Sequence, residues 1–173
     1  AFLKPYVGDK LKGKAIGNPE KLTIHKNDNR FEYKYMELAD KWALRDTDKG
    51  KQELAGKHGF YHRESDTIHL RPSSTNQEML HEAIHKLADG HFSLFGKFVN
   101  EGATQYVTKR VIEEMGQTAN AEIYPDEVAF AEKLIAYLTE PIALEHYFNP
   151  HDATELLSLV KVSLRDYQAN YQG

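Results

Sequence analysis

His81-Glu82-Ala83-Ile84-His85 is the stretch on which the reading of this chain turns. Residues four apart on an α-helix lie about one turn, roughly 6 Å, along the same face. Two imidazoles so spaced can reach one metal ion, and the glutamate between them stands ready to handle a proton. The surrounding residues carry a helical pattern. Leu80, Ile84 and Leu87, with Ala83, line one side, while Glu78, His81, Glu82 and His85 fall on the other. Thr75 followed by Glu78 has the spacing of a capping box, which assigns Glu78 to the helix start rather than to a metal. Gly90 is placed to stop the helix.

Upstream, Gly59–His62 and Thr67–Arg71 flank Glu64-Ser65-Asp66 and read as a β-hairpin, with Ile68 and Leu70 on one face and His69 on the other. Lys21–His25 alternates as a short strand, and Asn27-Asp28-Asn29 offers a turn or an N-cap. Phe31, Tyr35, Leu38, Ala39 and Trp42 recur at helical spacing, predicting a helix to about Leu44. Asp46–Gly56 is charged and aperiodic, so it reads as a loop with a helical turn. Residues 1–20 carry glycines, prolines and four lysines without a period and read as an extended lead-in, leaving 21–173 as a single domain.

Downstream the pattern is helical throughout. One helix runs from Phe95 or Lys97 to Met115, with Phe95, Phe98, Val99, Ala103, Tyr106 and Val107 as its apolar face and Glu101, Thr104, Gln105 and Thr108 opposite. Others follow over 125–138, over 141–148, and from an Asp152 cap onward. The fold class is therefore α+β and mostly helical: a small N-terminal sheet packed on the metal helix, then a helical C-terminal half.

Composition narrows the chemistry. The chain has 173 residues, 40% hydrophobic and 28% charged, as a folded domain does. Its formal charge of −4 supplies no basic field to hold nucleic acid, and no apolar run is long enough to span a bilayer. The absence of cysteine excludes disulfides, thiolate zinc sites and a cysteine nucleophile. A transition-metal site must then be built from the nine histidines and the carboxylates.

Zinc requires a third protein ligand and, for catalysis, an open position for water. Glu101 is one candidate, sixteen positions after His85 on the next helix, where Gly102 would let the two helices approach closely. His91 is the other, six positions after His85.

His81-Glu82-Ala83-Ile84-His85 followed by Asn100-Glu101-Gly102-Ala103-Thr104-Gln105-Tyr106 resembles the gluzincin metallopeptidases, whose pattern is H-E-x-x-H and a downstream glutamate in an E-G-x-x-x-Y-like context. The resemblance covers residues 59 to 116 and implies a zincin-like fold with one zinc ion. It implies His81, His85 and Glu101 as ligands, Glu82 as general base, and a peptide or protein substrate. It further implies that the strand around Thr67–Arg71 is the edge strand that holds extended peptide. The run His81–His91 also approaches the metzincin pattern, with Ala88 where that family has the glycine that turns the third histidine back; this favours Glu101 over His91. Tyr106, Tyr124, Tyr137, His146 and Tyr147 are candidate oxyanion donors, and Asp89 or Asn100 candidate partners for the second imidazole nitrogens. A zinc-bound, non-hydrolytic binding module is the alternative of a different class. A small protease domain with such a lead-in would suit a larger secreted or translocated protein.

Overall fold

The structure, a computed structural model, describes residues 1–8, 10 and 19–161. It is α+β and mostly helical. In chain order the elements are α1 (Lys4–Val7), a 3-10 turn (Pro19–Lys21), β1 (Leu22–Ile24), α2 (Asp28–Leu38) and a 3-10 turn (Trp42–Leu44). Next come α3 (Asp48–Ala55), β2 (Gly59–His62), β3 (Thr67–Leu70), α4 (Asn76–Leu87) and a 3-10 turn (Phe92–Phe95). α5 (Lys97–Glu114), α6 (Pro125–Leu138), α7 (Glu140–Phe148) and a helix α8 over 153–161 complete the described chain. It divides into two compact units, Leu11–Lys86 and Ala1–Lys10 with Leu87–Gly173.

The first unit is built on a three-stranded sheet of order β1-β3-β2. β2 and β3 form the antiparallel hairpin that the alternation predicts, in the register Gly59↔Leu70, Phe60↔His69, Tyr61↔Ile68 and His62↔Thr67. β1 pairs parallel to β3 on its other side. β3 is therefore the central strand, with both edges hydrogen-bonded. The expectation that the Thr67–Arg71 segment is a peptide-holding edge strand is thereby overturned; β1 and β2 are the outer strands among the described residues. Strand order depends on which segment β1 chooses as a partner, and no local pattern records that choice.

The pleat gives the sheet two buried faces. Ile68 and Leu70 pack with Ala83 of α4, joined by Leu22, Tyr61 and Met79. On the other face Phe60 belongs to a cluster with Phe31, Tyr35 and Met36 of α2 and Leu54 of α3. His69 shares that face and is only 7% exposed, stacked between its cross-strand partner Phe60 (ring centroids 4.7 Å apart) and His25 (5.4 Å). His25 Nε2 and His69 Nδ1 lie 3.2 Å apart in a hydrogen bond. Arg71 closes the end of this layer. Its guanidinium donates to the carbonyls of Lys57 and Leu54, pairs with Glu32 and Asp28, and lies over the Phe31 ring.

Helix α2 begins on the expected cap, the Asn27 side chain accepting from the Arg30 amide at 3.0 Å. It ends at Leu38, earlier than the periodicity predicts, because Asp40 adopts a positive φ of 50°. Trp42 consequently leaves the core face and lies half-exposed edge-on to Tyr33. Asp48–Ala55, read as a loop, is a helix capped by Thr47, whose hydroxyl accepts from the Gly50 amide. It buries only Gly50 and Leu54, too few positions to leave a period.

The second unit is helical. α5 and α6 meet at Gly102, where a Cβ would stand 2.1 Å from the Glu127 carbonyl oxygen. That close approach is made to α6. The buried positions of α5 include Thr104, Gln105 and Thr108, while Phe98 is exposed, so its apolar face is rotated from the predicted one. The polar side chains are accommodated by hydrogen bonds: Thr104 Oγ1 to the Asn100 carbonyl and to Tyr147 Oη, and Thr108 Oγ1 to the Thr104 carbonyl. Residues 1–8, expected to be extended, contain the helical turn α1. Val7 there is buried and Tyr6 stacks on Phe148. Residues 9 and 11–18 of the lead-in lie outside the described residues.

Burial lowers the His69 pKa from its usual 6.5 to about 4, with His25, Lys34 and His62 adding positive charge nearby. The unfolded chain takes this proton near 6.5 while the folded chain refuses it until about 4. Stability from this group is therefore full above 6.5 and falls as pH drops towards 4. In urea titrations between these limits the wild-type midpoint is expected to fall more steeply than that of His69→Phe, which keeps the stack without the titrating ring.

Candidate metal centre

α4 carries the H-E-x-x-H residues, and its start is the predicted capping box in full. The Thr75 hydroxyl accepts from the Glu78 amide at 3.2 Å, and the Glu78 carboxylate accepts from the Thr75 amide at 2.6 Å. Glu78 is thereby occupied at the cap. The helix ends at Leu87, before Gly90. Gly90 does not act as a left-handed stop. Its amide donates to the Tyr147 carbonyl, and a Cβ would stand 1.8 Å from the His146 carbonyl oxygen, so a glycine is needed for close approach.

From His81 onward the helix has no solvated face. His81, Glu82, Ala83, Ile84, Lys86 and Leu87 are all buried and His85 is half-buried. The polar side expected from the sequence exists, but it points inward. His81 Nε2 and His85 Nε2 lie 3.1 Å apart, with ring centroids at 4.8 Å and planes inclined by 76°. Two nitrogens on one tetrahedral zinc, each about 2.05 Å from it, are separated by about 3.3 Å. The spacing of the two Nε2 atoms thus fits a shared ion with almost no adjustment.

Glu82 is buried beside β2. A Cβ on Gly59 would stand 3.0 Å from Glu82 Cγ and 2.8 Å from Leu70 Cδ2. A larger residue would have to displace the Leu70 and Glu82 side chains, so the first residue of the hairpin is part of the setting of Glu82. Nothing in the sequence separates this glycine from an ordinary strand boundary.

Lys86, next to His85, is 1% exposed. Its ammonium donates to the Asp66 carbonyl at 3.0 Å and pairs with the Asp66 carboxylate at 3.2 Å. Asp66 occupies the hairpin turn with φ of 51°, and its other carboxylate oxygen accepts from Tyr61 Oη at 2.9 Å. This link ties α4 to the hairpin tip.

The remaining candidates belong to the helical unit. Glu101 lies in the second turn of α5 and is half-buried. His91 donates its amide to the His146 carbonyl at 3.1 Å, ahead of the 3-10 turn. Asp89 is paired with Lys10 at 3.0 Å. Among the oxyanion candidates, Tyr106 Oη donates to Glu140 and accepts from Arg110, and burial with the Glu140 bond raises its pKa to about 12. Tyr147 Oη is held by Thr104 Oγ1 at 2.6 Å within the helical core. Both hydroxyls are committed to structural partners.

Comparison with known proteins finds no matching family model, no matching curated protein and no matching solved structure.

Removing Asp66 takes the carboxylate partner away from a buried ammonium. Asp66→Ala is expected to cost about 3 kcal/mol in urea unfolding, the lower end for a broken buried pair because Asp66 is itself partly exposed. Lys86→Met combined with Asp66→Asn should recover most of that loss.

Proposed function

We propose that the chain is a zinc-dependent metallopeptidase of gluzincin type, with a zincin-like fold, one zinc ion, and His81, His85 and Glu101 as its protein ligands. The observation that carries this reading is the His81–His85 pair, with Nε2 atoms 3.1 Å apart on a buried helix that also carries Glu82. Two imidazoles with a carboxylate, the set proposed, are the ligand chemistry of a catalytic zinc.

When bound, zinc supplies Lewis acidity that acidifies a water and polarises a peptide carbonyl. Glu82 takes the proton of the attacking water and delivers it to the departing amine as the carbon–nitrogen bond breaks. Its burial beside Gly59 restricts its rotamers and keeps the carboxylate near one position. β2, the outer strand beside Glu82, rather than the central β3, is the strand on which an extended peptide would pair.

Bound zinc and cleavage of casein or a peptide library, compared between wild type and Glu82→Gln, test the reading. Zinc retained and cleavage reduced by at least about a hundredfold is the expected result. Absence of stoichiometric zinc in both proteins would sink it, and zinc without cleavage in either would turn the reading to the non-hydrolytic binding module. Glu101→Ala is expected to lower zinc content where His91→Ala does not; the reverse result would select the metzincin-like ligand set.

A further inference from the structure

The sheet unit turns the chain's only tryptophan outward. Trp42 is 39% exposed, and Tyr33, which its ring meets edge-on with centroids 4.9 Å apart, is 58% exposed. Apolar side chains exposed singly are ordinary, whereas two large rings in contact on the surface are a mark of binding faces. The turn that carries Trp42 is held from behind. Thr47 Oγ1 donates to the Leu44 carbonyl at 2.7 Å, and a Cβ on Gly50 would stand 1.8 Å from the same oxygen, so α3 packs directly under the turn. The rings therefore sit on a braced support, and little ordering is left to impose when a partner arrives.

Cations adjoin the rings. Arg30 and Lys34, four apart on α2, form a row beside Tyr33, and with Asn29 these side chains line a shallow surface depression. The Arg45 guanidinium lies over the Trp42 ring, 5.7 Å from its centroid. The carboxylates of α2 are engaged elsewhere or already matched: Asp28 and Glu32 pair with Arg71, and Glu37 pairs with Lys34. Arg30 and Arg45 have no ion pair among the described residues. Burial, and then the charges of Lys34 and Arg30, push His25 towards its neutral form, so the positive potential reaches the adjoining sheet. In a chain of net charge −4 this face is a local reversal of sign.

We infer that the Tyr33–Trp42 face is a docking surface for an acidic segment of a partner protein. Trp, Tyr and Arg are the residue types that carry most binding energy at protein interfaces, and here they stand together. The two rings, inclined by 67°, form a corner that accepts an apolar side chain. Arg30 and Arg45 each offer a planar fork of donors to a carboxylate, a charge-assisted pairing stronger than a neutral hydrogen bond. Nucleic acid is the poorer match. The cations are few, the chain as a whole is acidic, and rings set edge-on give no parallel platform for successive bases. The surface lies wholly within the unit Leu11–Lys86 and stands independently of the proposed zinc chemistry.

The test reads Trp42 directly, because no other tryptophan contributes to the emission. The full chain is titrated with a short glutamate-rich peptide that carries a central leucine, and with the same peptide bearing lysine for glutamate. The glutamate peptide is expected to shift the emission saturably, with an affinity that falls as salt rises, and the lysine peptide to leave it unchanged. Arg30→Ala with Arg45→Ala should weaken binding at least about tenfold. Lys97→Ala with Lys133→Ala, which removes two exposed cations of the helical unit, should not. All four positions are exposed, and circular dichroism checks that each variant is folded. Unchanged affinity in the double arginine variant, or equal binding of the lysine peptide, would overturn the proposal. So would a single-stranded oligothymidylate that binds more tightly and depends on the same two arginines. Glu82→Gln should bind the glutamate peptide as wild type does, so failure of the peptidase reading leaves this result untouched.

Discussion

The buried ammonium of Lys86, held by the Asp66 carboxylate and carbonyl at the hairpin turn, fixes how α4 is rotated on the sheet. A long cationic side chain tolerates such burial only with its partner in place, so the helix cannot roll without exposing or orphaning that charge. Ala83, one turn before, packs on Ile68 and Leu70 and sets the same phase from the apolar side. With both contacts satisfied, His81 and His85 are held on a common side of the helix, and Glu82 is backed by the glycine that opens β2. Cap, ion pair and apolar seam therefore converge on the placement of three side chains.

The same economy governs the glycines. Gly59, Gly90 and Gly102 each stand where a methyl group would strike a side chain or a carbonyl, and none of these three needs a positive φ. Their value is proximity rather than conformational freedom. Gly59 admits Glu82 to the sheet, Gly90 lets the chain after α4 meet the end of α7, and Gly102 joins α5 to α6. The lone glycine at each position distinguishes none of these uses.

Histidine is the element that links the electrostatics of the molecule. Three pairs recur: His25 with His69 behind the sheet, His81 with His85 on α4, and His146 with His151 after α7. The first pair is closed by its own hydrogen bond and by aromatic stacking, and desolvation pushes both members towards the neutral form. The second has a spacing suited to a shared ion. The third leaves a buried nitrogen, His146 Nδ1, without a hydrogen-bond partner among the described residues. In a chain without cysteine, imidazoles are the natural nitrogen ligands for a transition metal.

Local chemistry was legible from the residues alone. The capping box at Thr75, the Asn27 cap, the hairpin over residues 59–70 and the helices over 97–114 and 125–138 follow from short-range pattern, because each is decided by neighbours within a few positions. The i, i+4 spacing likewise determined that His81 and His85 share a face. What required the folded chain were relations between distant segments. β1 takes the far side of β3 and makes it central, α5 buries threonines and a glutamine instead of Phe98, and Trp42 is turned out by the positive φ at Asp40. Lys86, Asp66 and Gly59 acquired their roles in the same way. A sequence specifies periodicity and capping through local sterics and hydrogen bonding. Which polar face is buried, and against what partner, is decided only when segments far apart in the chain compete for the same interior.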